Sequence, residues 1–554
     1  MNLQSKSLRR AVSAWLAGLS LCAQIFAQTA AVAPVKISDT EKELVAQIKT
    51  ETIKEITAAL SADEMQGRGT MQPGGDKAAG WIADRMKSLG LKPLGDKGSY
   101  LQKVDFKETL LMPETSFKVG DESLKLGTDF GIAPFSAGNK SASGDLVFVA
   151  YAMVVDAMKR NDLGNMNLQG KIVVMLEGPP PGITKKQWDD AKASSLFVRN
   201  LWSKGVAGIV IIGHGREENP PETSIDYFSR RQIDMADDAG SPPQMPLFVY
   251  ASKTGAEKLF AKSETSLKNA LAQADGKDFK PFSLKQSAKI SSKIKMTKGA
   301  SSNVIGVLEG SDPTLKSEAI VFSAHYDGYG MENGKIYHGA ADNALGVAEM
   351  LAVAEAYSKM PTKPKRSMVF LAVTAEEYGL YGSKYWAKKP TWDIKKIAAN
   401  LNLDGIGTEV YAPVKTFVGF GAEHSTIGAM LTDVSGAFDI KVIPDPMPDE
   451  KIFLRSDHYS FVERGVPALM LLGAPAGEPQ KWIERSKQWE KTDYHQPTDT
   501  IKDDWAWEGA ETVAEVMGIM GLRISDNTAM PSWLSTSRFG KLERGNTKDL
   551  PEEK

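Results

Sequence analysis

Three short apolar segments, each followed by side chains that can bind a metal ion, constrain the fold of this chain most strongly. They are residues 320–324, followed by His325 and Asp327; residues 368–373, followed by Glu376 and Glu377; and residues 397–403, followed by Asp404. Apolar runs of this length, separated by helix-like stretches, predict parallel strands that are buried on both faces of a sheet. The carboxyl ends of such strands meet at one edge, where open α/β sheets bind their ligands. The polar side chains should therefore lie close together.

Two further segments add candidate ligands for the same edge. Residues 339–346 contain Asp342 and precede a helix-like run, and residues 494–499, which read Tyr-His-Gln-Pro-Thr-Asp, contain His495. Two imidazoles and several carboxylates, with no thiolate, suit zinc or another borderline divalent ion. The sequence therefore predicts a metal site whose ligands come from widely separated segments.

Five motifs follow one another in this part of the chain: His-x-Asp, Gly-Ala-x-Asp-Asn, Glu-Glu, Asn-Leu-Asp and Tyr-His-x-x-x-Asp. No single motif is specific, but the complete series resembles the co-catalytic di-zinc aminopeptidase family. That family includes the bacterial leucyl aminopeptidases and the glutamate carboxypeptidase II group. The resemblance implies an α/β fold in which helices sandwich a mixed, mostly parallel sheet, the zinc exopeptidase fold.

The resemblance also implies a set of ligands for two Zn²⁺ ions per chain. Asp342 corresponds to the carboxylate that bridges the two ions in the family. His325 and Asp404 would complete the first ion, and Glu377 and His495 would complete the second. Every ligand position of the family pattern is filled by the expected residue type.

Five other residues are candidates for catalysis or substrate binding. We expect Glu376 to act as the general base, Asp327 to accept the free imidazole N–H of His325, and Tyr494 to donate its hydroxyl to a developing oxyanion. Arg455 could bind a substrate carboxylate or form an ordinary ion pair. His458 lies in a Ser-Asp-His-x-x-Phe segment that the family places near the substrate pocket. We expect it at most to contact the residues that bind metal or substrate, without binding either itself.

The length of 554 residues predicts more than one domain. Residues 141–285 contain several strand-like segments and resemble a protease-associated (PA) domain, β-rich and inserted into the peptidase. This insertion would divide the peptidase domain into residues 31–140 and 286–525. Residues 526–554 are polar and charged, which predicts a poorly ordered tail.

The N-terminal segment is typical of a secretory signal peptide. Lys6, Arg9 and Arg10 precede an apolar run at 11–26, and Ala27 supplies a small residue for cleavage, so residues 1–27 would be removed; the alternative is a retained N-terminal anchor. We therefore expect a secreted or periplasmic protein with no membrane attachment after signal removal. The net charge of −2 gives no electrostatic reason to expect nucleic acid as a partner.

The predicted function is that of an exopeptidase that hydrolyses the N-terminal peptide bond of peptides. A metal-bridging hydroxide and the Glu376 general base would perform the reaction. Three alternatives stay open: a carboxy-exopeptidase of the glutamate carboxypeptidase type, a single-zinc enzyme like glutaminyl cyclase, and a non-catalytic, receptor-like protein on the same scaffold. The sequence does not determine the preferred side chain or the oligomeric state.

Overall fold

The computed structural model describes residues 36–184, 187–188, 193–217, 220–236, 245–474, 479–546, 548 and 550–551. The predicted signal peptide, residues 1–27, lies outside the described residues.

The described strands are numbered in chain order. They are β1 (Lys92–Pro93), β2 (Leu101–Leu111), β3 (Ser116–Val119), β4 (Glu122–Leu124), β5 (Phe130–Ile132), β6 (Lys140–Phe148), β7 (Val154–Val155), β8 (Arg160–Asn161), β9 (Ile172–Leu176), β10 (Gly208–Ile212), β11 (Gln232–Met235), β12 (Leu247–Ala251), β13 (Phe282–Ser292), β14 (Ile294–Leu308), β15 (Ala319–His325), β16 (Gly330–Glu332), β17 (Lys335–Tyr337), β18 (Ser367–Val373), β19 (Ile397–Asn402), β20 (Thr416–Phe420), β21 (Lys441–Ile443) and β22 (Ala468–Ala474).

The described α-helices are numbered in the same way. They are α1 (Asp39–Val45), α2 (Thr50–Ser61), α3 (Pro73–Ser88), α4 (Ala193–Ser203), α5 (Pro221–Ser229), α6 (Lys253–Phe260), α7 (Leu267–Ala274), α8 (Leu345–Lys359), α9 (Tyr381–Lys388), α10 (Ile427–Ala437), α11 (His458–Val462), α12 (Pro479–Thr492) and α13 (Trp507–Asp526).

The larger sheet is mixed and has helices on both faces, which confirms the predicted α/β class. Its strands lie in the order β11-β2-β14-β18-β15-β19-β22-β20-β21, and β1 pairs beside β14. The four central strands β18, β15, β19 and β22 are parallel, as is the pair β20–β21, whereas the remaining neighbours are antiparallel. The predicted parallel arrangement is thus concentrated at the centre, where the candidate ligands lie.

Alternate residues of the central strands enter two separate cores. Ile320 and Phe322 of β15 pack toward α2, α3, α8 and α13, whereas Val321 packs on the opposite face with Trp386 of α9 and Phe461 of α11. Successive side chains of a strand point to opposite faces, so a strand that is covered on both sides must be apolar throughout. This is the physical reason that the continuous apolar runs predict these strands.

A second sheet of eight strands lies between β2 and β14 in the sequence. Its order is β4-β3-β13-β6-β9-β10-β12-β5, and it has apolar clusters of its own. The sheet starts at Ser116 and ends at Ser292, so the boundaries predicted at 141 and 285 fall inside β6 and β13. In addition, β11 leaves this region and pairs with β2 at the edge of the larger sheet. That this region is a PA domain stays a prediction.

The C-terminal tail is polar in composition but is packed against the rest of the chain. Phe539 and Leu542 are buried in the core that contains Trp386, and the Trp533 indole donates a hydrogen bond to the Gly465 carbonyl at 3.1 Å. A few well-placed apolar side chains are sufficient to hold a segment whose average composition is polar. The prediction of a poorly ordered tail is therefore wrong for residues 527–546.

Candidate metal centre

Two groups of potential ligands meet at the carboxyl ends of the central strands and share one carboxylate. His325 and Asp404 form the first group with Asp342, and Glu377 and His495 form the second with the same residue. We call the pair His325 and Asp404 the sheet half, and the pair Glu377 and His495 the loop half. Asp342 offers Oδ1 to His325 Nε2 at 3.1 Å and Oδ2 to His495 Nε2 at 3.4 Å. All five predicted ligands are therefore brought together.

The sheet half is positioned by strand register. His325 is the last residue of β15, and its partner in β18 is Val373. Ser323 pairs with Asn402 in β19, which places Asp404 beside His325. The His325 Nε2 atom lies 3.6 Å from Asp404 Oδ1.

A chain of buried polar groups holds the Asp404 carboxylate. The Ser323 hydroxyl donates to Asn402 Oδ1 at 2.6 Å, and the Asn402 amide donates to the Ser456 hydroxyl at 2.8 Å. Ser456 in turn donates to Asp404 Oδ2. Buried polar groups that are all satisfied in this way form a rigid unit. Asp404 Oδ1 remains directed at the site.

Asp342 lies in the short turn Ala340–Ala344, which precedes α8. The Asp499 carboxylate accepts hydrogen bonds from the Ala341 and Asp342 amides at 2.9 and 3.1 Å. The buried Arg68 guanidinium donates to the Gly339 carbonyl at 2.7 Å. The turn is thus fixed from both sides, by the aspartate that ends the Tyr-His-x-x-x-Asp motif and had no assigned role, and by an arginine outside the five motifs.

Glu376 and Glu377 follow β18 on a tight turn. Ala375, which precedes them, has φ 57°, in the left-handed region that few non-glycine residues adopt. The Asp327 carboxylate accepts a hydrogen bond from the Glu376 amide at 3.1 Å, and the Thr70 hydroxyl lies 3.4 Å from its other oxygen. Asp327 therefore joins the end of β15 to the turn that carries both glutamates.

The contact between Asp327 and His325 differs from the predicted one. His325 Nδ1 lies 3.2 Å from the Asp327 backbone carbonyl and 3.8 Å from the Asp327 carboxylate. A carbonyl can fix the tautomer of a ligand imidazole as well as a carboxylate can. The Asp327 carboxylate is instead occupied by the Glu376 amide and Thr70.

The loop half is more open. The side chain of His495 is 27% exposed, and its Nε2 lies 2.9 Å from Glu377 Oε2. Its backbone has φ 57°, and its ring stacks on Tyr494 with centroids 3.6 Å apart. The Tyr329 hydroxyl lies 3.1 Å from His495 Nδ1.

A cleft of about 600 Å³ opens beside the sheet half and Asp342. It is lined by His325, Asp342, Glu376, Asp404, Ile406, Ile452, Arg455, Ser456, Met470, Leu472, Ser486, Trp489, Glu490 and Tyr494. Three residues predicted to act in catalysis or substrate binding, Glu376, Arg455 and Tyr494, thus line the cleft. His458 does not line it; its imidazole is fully buried and stacks against Phe453 with centroids 5.2 Å apart.

The electrostatics of the site reflect crowded, buried carboxylates. Burial raises the pKa of Glu376 well above its usual range and raises the pKa of Asp327 to about 7. Burial alone would lower the pKa of His495, but Glu377 and Asp342 outweigh it and raise that pKa to about 9. The pKa of Asp342 is lowered, because contacts with both imidazoles outweigh its burial. A bound divalent cation would neutralise this concentration of negative charge.

The donor set fits zinc. It consists of two imidazoles and three carboxylates, and one carboxylate presents an oxygen to each group. Asp404 Oδ1 is buried and, among the described residues, has no hydrogen-bond donor. A buried carboxylate oxygen without a donor is costly unless a cation occupies the site.

Solved structures with a similar fold cover nearly the whole chain. The aminopeptidase from Aneurinibacillus sp. strain AM-1 matches with a TM-score of 0.56 and 20% identity, over 93% of this chain and 98% of that one. BSAP, a zinc aminopeptidase from Bacillus subtilis, matches with a TM-score of 0.54 and 17% identity, over 91% and 99%. At these identities the likeness establishes the fold.

Curated relatives match shorter parts of the chain. A vacuolar membrane protease of Clavispora lusitaniae is 38% identical over 107 residues, which are 19% of this chain and 10% of that protein. A glutamate carboxypeptidase 2 homolog of Caenorhabditis elegans is 26% identical over 321 residues, 50% of this chain and 40% of that protein. The matches therefore span less than half the length of these relatives.

These relatives contradict the predicted secreted or periplasmic location. The relatives with 34–38% identity are named as vacuolar membrane proteases in several yeasts, including Vanderwaltozyma polyspora and Meyerozyma guilliermondii. Among the described residues, no helix is both long enough and apolar enough to cross a bilayer. The prediction from the N-terminal segment is corrected accordingly.

The family assignment comes from the region that contains the site. Residues 303–519 match the sequence pattern of Peptidase family M28. This range includes both ligand groups and the cleft, and the fold agrees with that of the two aminopeptidases above. The region that contains the site, residues 303–519, is therefore similar to Peptidase family M28.

Proposed function

We propose that the protein is a two-zinc aminopeptidase that removes the N-terminal residue of peptides. The observation that carries this proposal is the pair of ligand groups that share Asp342 beside an open cleft. Sharing one carboxylate brings two cation positions close enough to act on one substrate, which is the arrangement of two-metal hydrolases. The aminopeptidases with the same fold support the choice of reaction.

The proposed ligands are the sheet half for one ion, the loop half for the other, and Asp342 for both. When bound, the zinc ions supply Lewis-acid polarisation of the scissile carbonyl and lower the pKa of a coordinated water. The chain contributes the rigid supports described above, since strand register and the Asn402–Ser456 contacts hold Asp404.

Glu376 is the proposed general base and then the proton donor to the leaving amine. It lines the cleft beside His325, Asp342 and Asp404, and its backbone amide is held by Asp327. Burial raises its pKa, which helps a carboxylate to accept a proton and return it near neutral pH. Tyr494 lines the same cleft and is proposed to donate its hydroxyl to the oxygen of the scissile carbonyl.

The substitution Glu376→Gln tests this assignment. It keeps the size of the side chain but removes the proton acceptor, so kcat on aminoacyl anilides should fall by about 10²–10⁴-fold. Zinc content, measured by metal analysis of the purified chain, should stay at two ions. Retention of wild-type kcat by the variant would exclude Glu376 as the base. One zinc ion per wild-type chain would favour the single-zinc alternative.

A carboxy-exopeptidase is the second candidate, and Arg455 supports it. Arg455 lines the cleft, and its guanidinium has no hydrogen bond or ion pair within the described part of the chain. A guanidinium that lines a cleft suits a terminal carboxylate. N-acetylated peptides and C-terminally amidated peptides separate the two: acetylation should abolish aminopeptidase activity, whereas amidation should abolish carboxypeptidase activity.

A further inference from the structure

The second sheet contributes an arginine to the loop half of the site. Arg230 directly follows α5, which packs on the second sheet: Ile225 lies against Gly131 of β5, and the rings of Phe228 and Tyr250 are 5.3 Å apart. Arg230 itself is buried and forms an ion pair with Asp226 at 2.6 Å. This region of the chain thus reaches the candidate metal centre.

Arg230 contacts His495 both directly and through an aromatic ring. Its Nη1 donates to the His495 backbone carbonyl at 3.3 Å. Its guanidinium lies 5.0 Å from the ring centroid of Tyr329 and 4.7 Å from that of Tyr337. The Tyr329 hydroxyl is 3.1 Å from His495 Nδ1. Guanidinium–ring contacts are stronger when they are removed from water, as this one is.

The contacts from Arg230 and Tyr329 hold His495 in an uncommon backbone conformation. Its φ of 57° is uncommon for a residue with a side chain, and such backbone persists only where neighbouring contacts hold it. Arg230 holds the carbonyl and Tyr329 faces the ring, so that Nε2 points at Glu377 and Asp342. The loop half otherwise lacks the strand register that fixes the sheet half.

We propose that Arg230 and Tyr329 are positioning residues that orient His495 for metal binding, and that the second sheet thereby supports one of the two ion positions. The inference rests on the proposed function, because it assigns His495 as a ligand. With Nε2 facing the ion, Nδ1–H donates to the Tyr329 oxygen, which fixes the tautomer of the ring.

The test is a zinc titration of the full-length, metal-free chain against a chromophoric chelator. We expect Arg230→Gln and Tyr329→Phe each to weaken one of the two zinc equivalents by about 10–100-fold and to leave the other unchanged. The double variant should lose no more than the larger single effect, because both residues act on His495. Arg230→Lys, which keeps the charge but not the fork of donors, should lie between wild type and Arg230→Gln.

Arg216→Gln is the matched control. Arg216 belongs to the same region of the chain but pairs with Asp275 at 2.7 Å, so this variant should bind both equivalents like the wild type. In Arg230→Gln, the zinc concentration for half-maximal activity should rise while KM for the peptide stays unchanged, a pattern that general damage would not produce.

Wild-type affinity for both equivalents in folded Arg230→Gln and Tyr329→Phe would overturn the inference. If Arg230→Gln fails to fold, Tyr329→Phe decides alone, because it removes one oxygen and keeps the ring. The failure of the proposed function would look different: the wild-type chain itself would then bind no zinc.

Discussion

The sheet half and the loop half offer the same kind of ligands but are built in different ways. His325 and Asp404 are almost completely buried at the ends of two paired strands. His495 is partly exposed, has an uncommon backbone conformation and lies in the loop after α12 rather than at the end of a strand. The first pair is fixed by hydrogen bonds within the sheet, and the second by side chains from two regions of the chain.

This contrast indicates where the site can change most easily. A ligand at the end of a central strand cannot move without disturbing the register of its neighbours, whose side chains fill two cores. A ligand on a loop can move when the few contacts that hold it are altered. We therefore expect the loop half to be the weaker ion position and the first to lose its ion on dilution.

The largest effect should come from Asp342→Asn, which alters both halves at once. The amide has one acceptor oxygen in place of two, so it cannot offer an anionic oxygen to each ion. Both zinc equivalents should be lost, and peptidase activity should fall to background. Metal analysis after dialysis is the measurement. Retention of one tightly bound equivalent would mean that the halves bind independently of Asp342.

A smaller effect is expected for Asp327→Asn, which alters the link between β15 and the glutamate turn. The substitution weakens the hydrogen bond from the Glu376 amide and removes a buried charge near His325. Loss of such a supporting contact typically costs about 10–100-fold in metal affinity or activity. Thr70→Val is the control: it removes the more distant 3.4 Å contact to Asp327 and a 3.3 Å contact to the Thr374 hydroxyl, but leaves the Glu376 amide bond in place, so it should change activity less. Equal losses in both variants would contradict the assigned role of the Glu376 contact.

The same contrast explains what the sequence could predict. The apolar runs of β15, β18 and β19 are visible as continuous patterns, and the residues that follow each run must meet at one edge of the sheet. Family resemblance then supplied His495, which no strand pattern indicates. All five candidate ligands could therefore be proposed before the structure was known.

The hydrogen bonds that hold the candidate ligands in place could not be predicted, because they connect segments that are distant in the sequence. Asp499 accepts hydrogen bonds from two amides of the Asp342 turn, and Ser456 donates to Asp404. Both residues lie in motifs that are visible in the sequence, but the motifs do not show which groups these side chains contact. Arg230 belongs to a region that the sequence assigned to a separate domain. The start of the second sheet at Ser116 was missed for the same reason, since β3 is short and pairs with β13, far along the chain.

A pair of buried acids behind the sheet half should make stability depend on pH. Glu349 of α8 and Glu409 from the loop after Asp404 are both buried, and each has an oxygen with no hydrogen-bond partner among the described residues. Burial is the main cause that raises the pKa of Glu409 to about 7, and it raises the pKa of Glu349 well above its usual range. The hydrogen bond from the Thr408 hydroxyl lowers the pKa of Glu409, whereas the nearby Asp404 carboxylate raises it.

The native state therefore keeps protons that the unfolded chain releases above its ordinary glutamate pKa of about 4.5. Stability should fall as pH rises from about 4.5 to about 7, by on the order of 1.4 kcal/mol per pH unit for one such group. In Glu409→Gln this part of the slope should disappear, as followed by the denaturant midpoint of the metal-free chain at pH 5, 6 and 7. Glu355→Gln is the control. Glu355 lies on α8, as Glu349 does, but forms an ion pair with Arg85 at 2.9 Å, so this variant should keep the wild-type dependence of stability on pH. If the free energy of unfolding of Glu409→Gln depended on pH as that of the wild type does, Glu349 and Glu409 would not be protonated in the native state. The acid pair next to the sheet half would then not respond to pH.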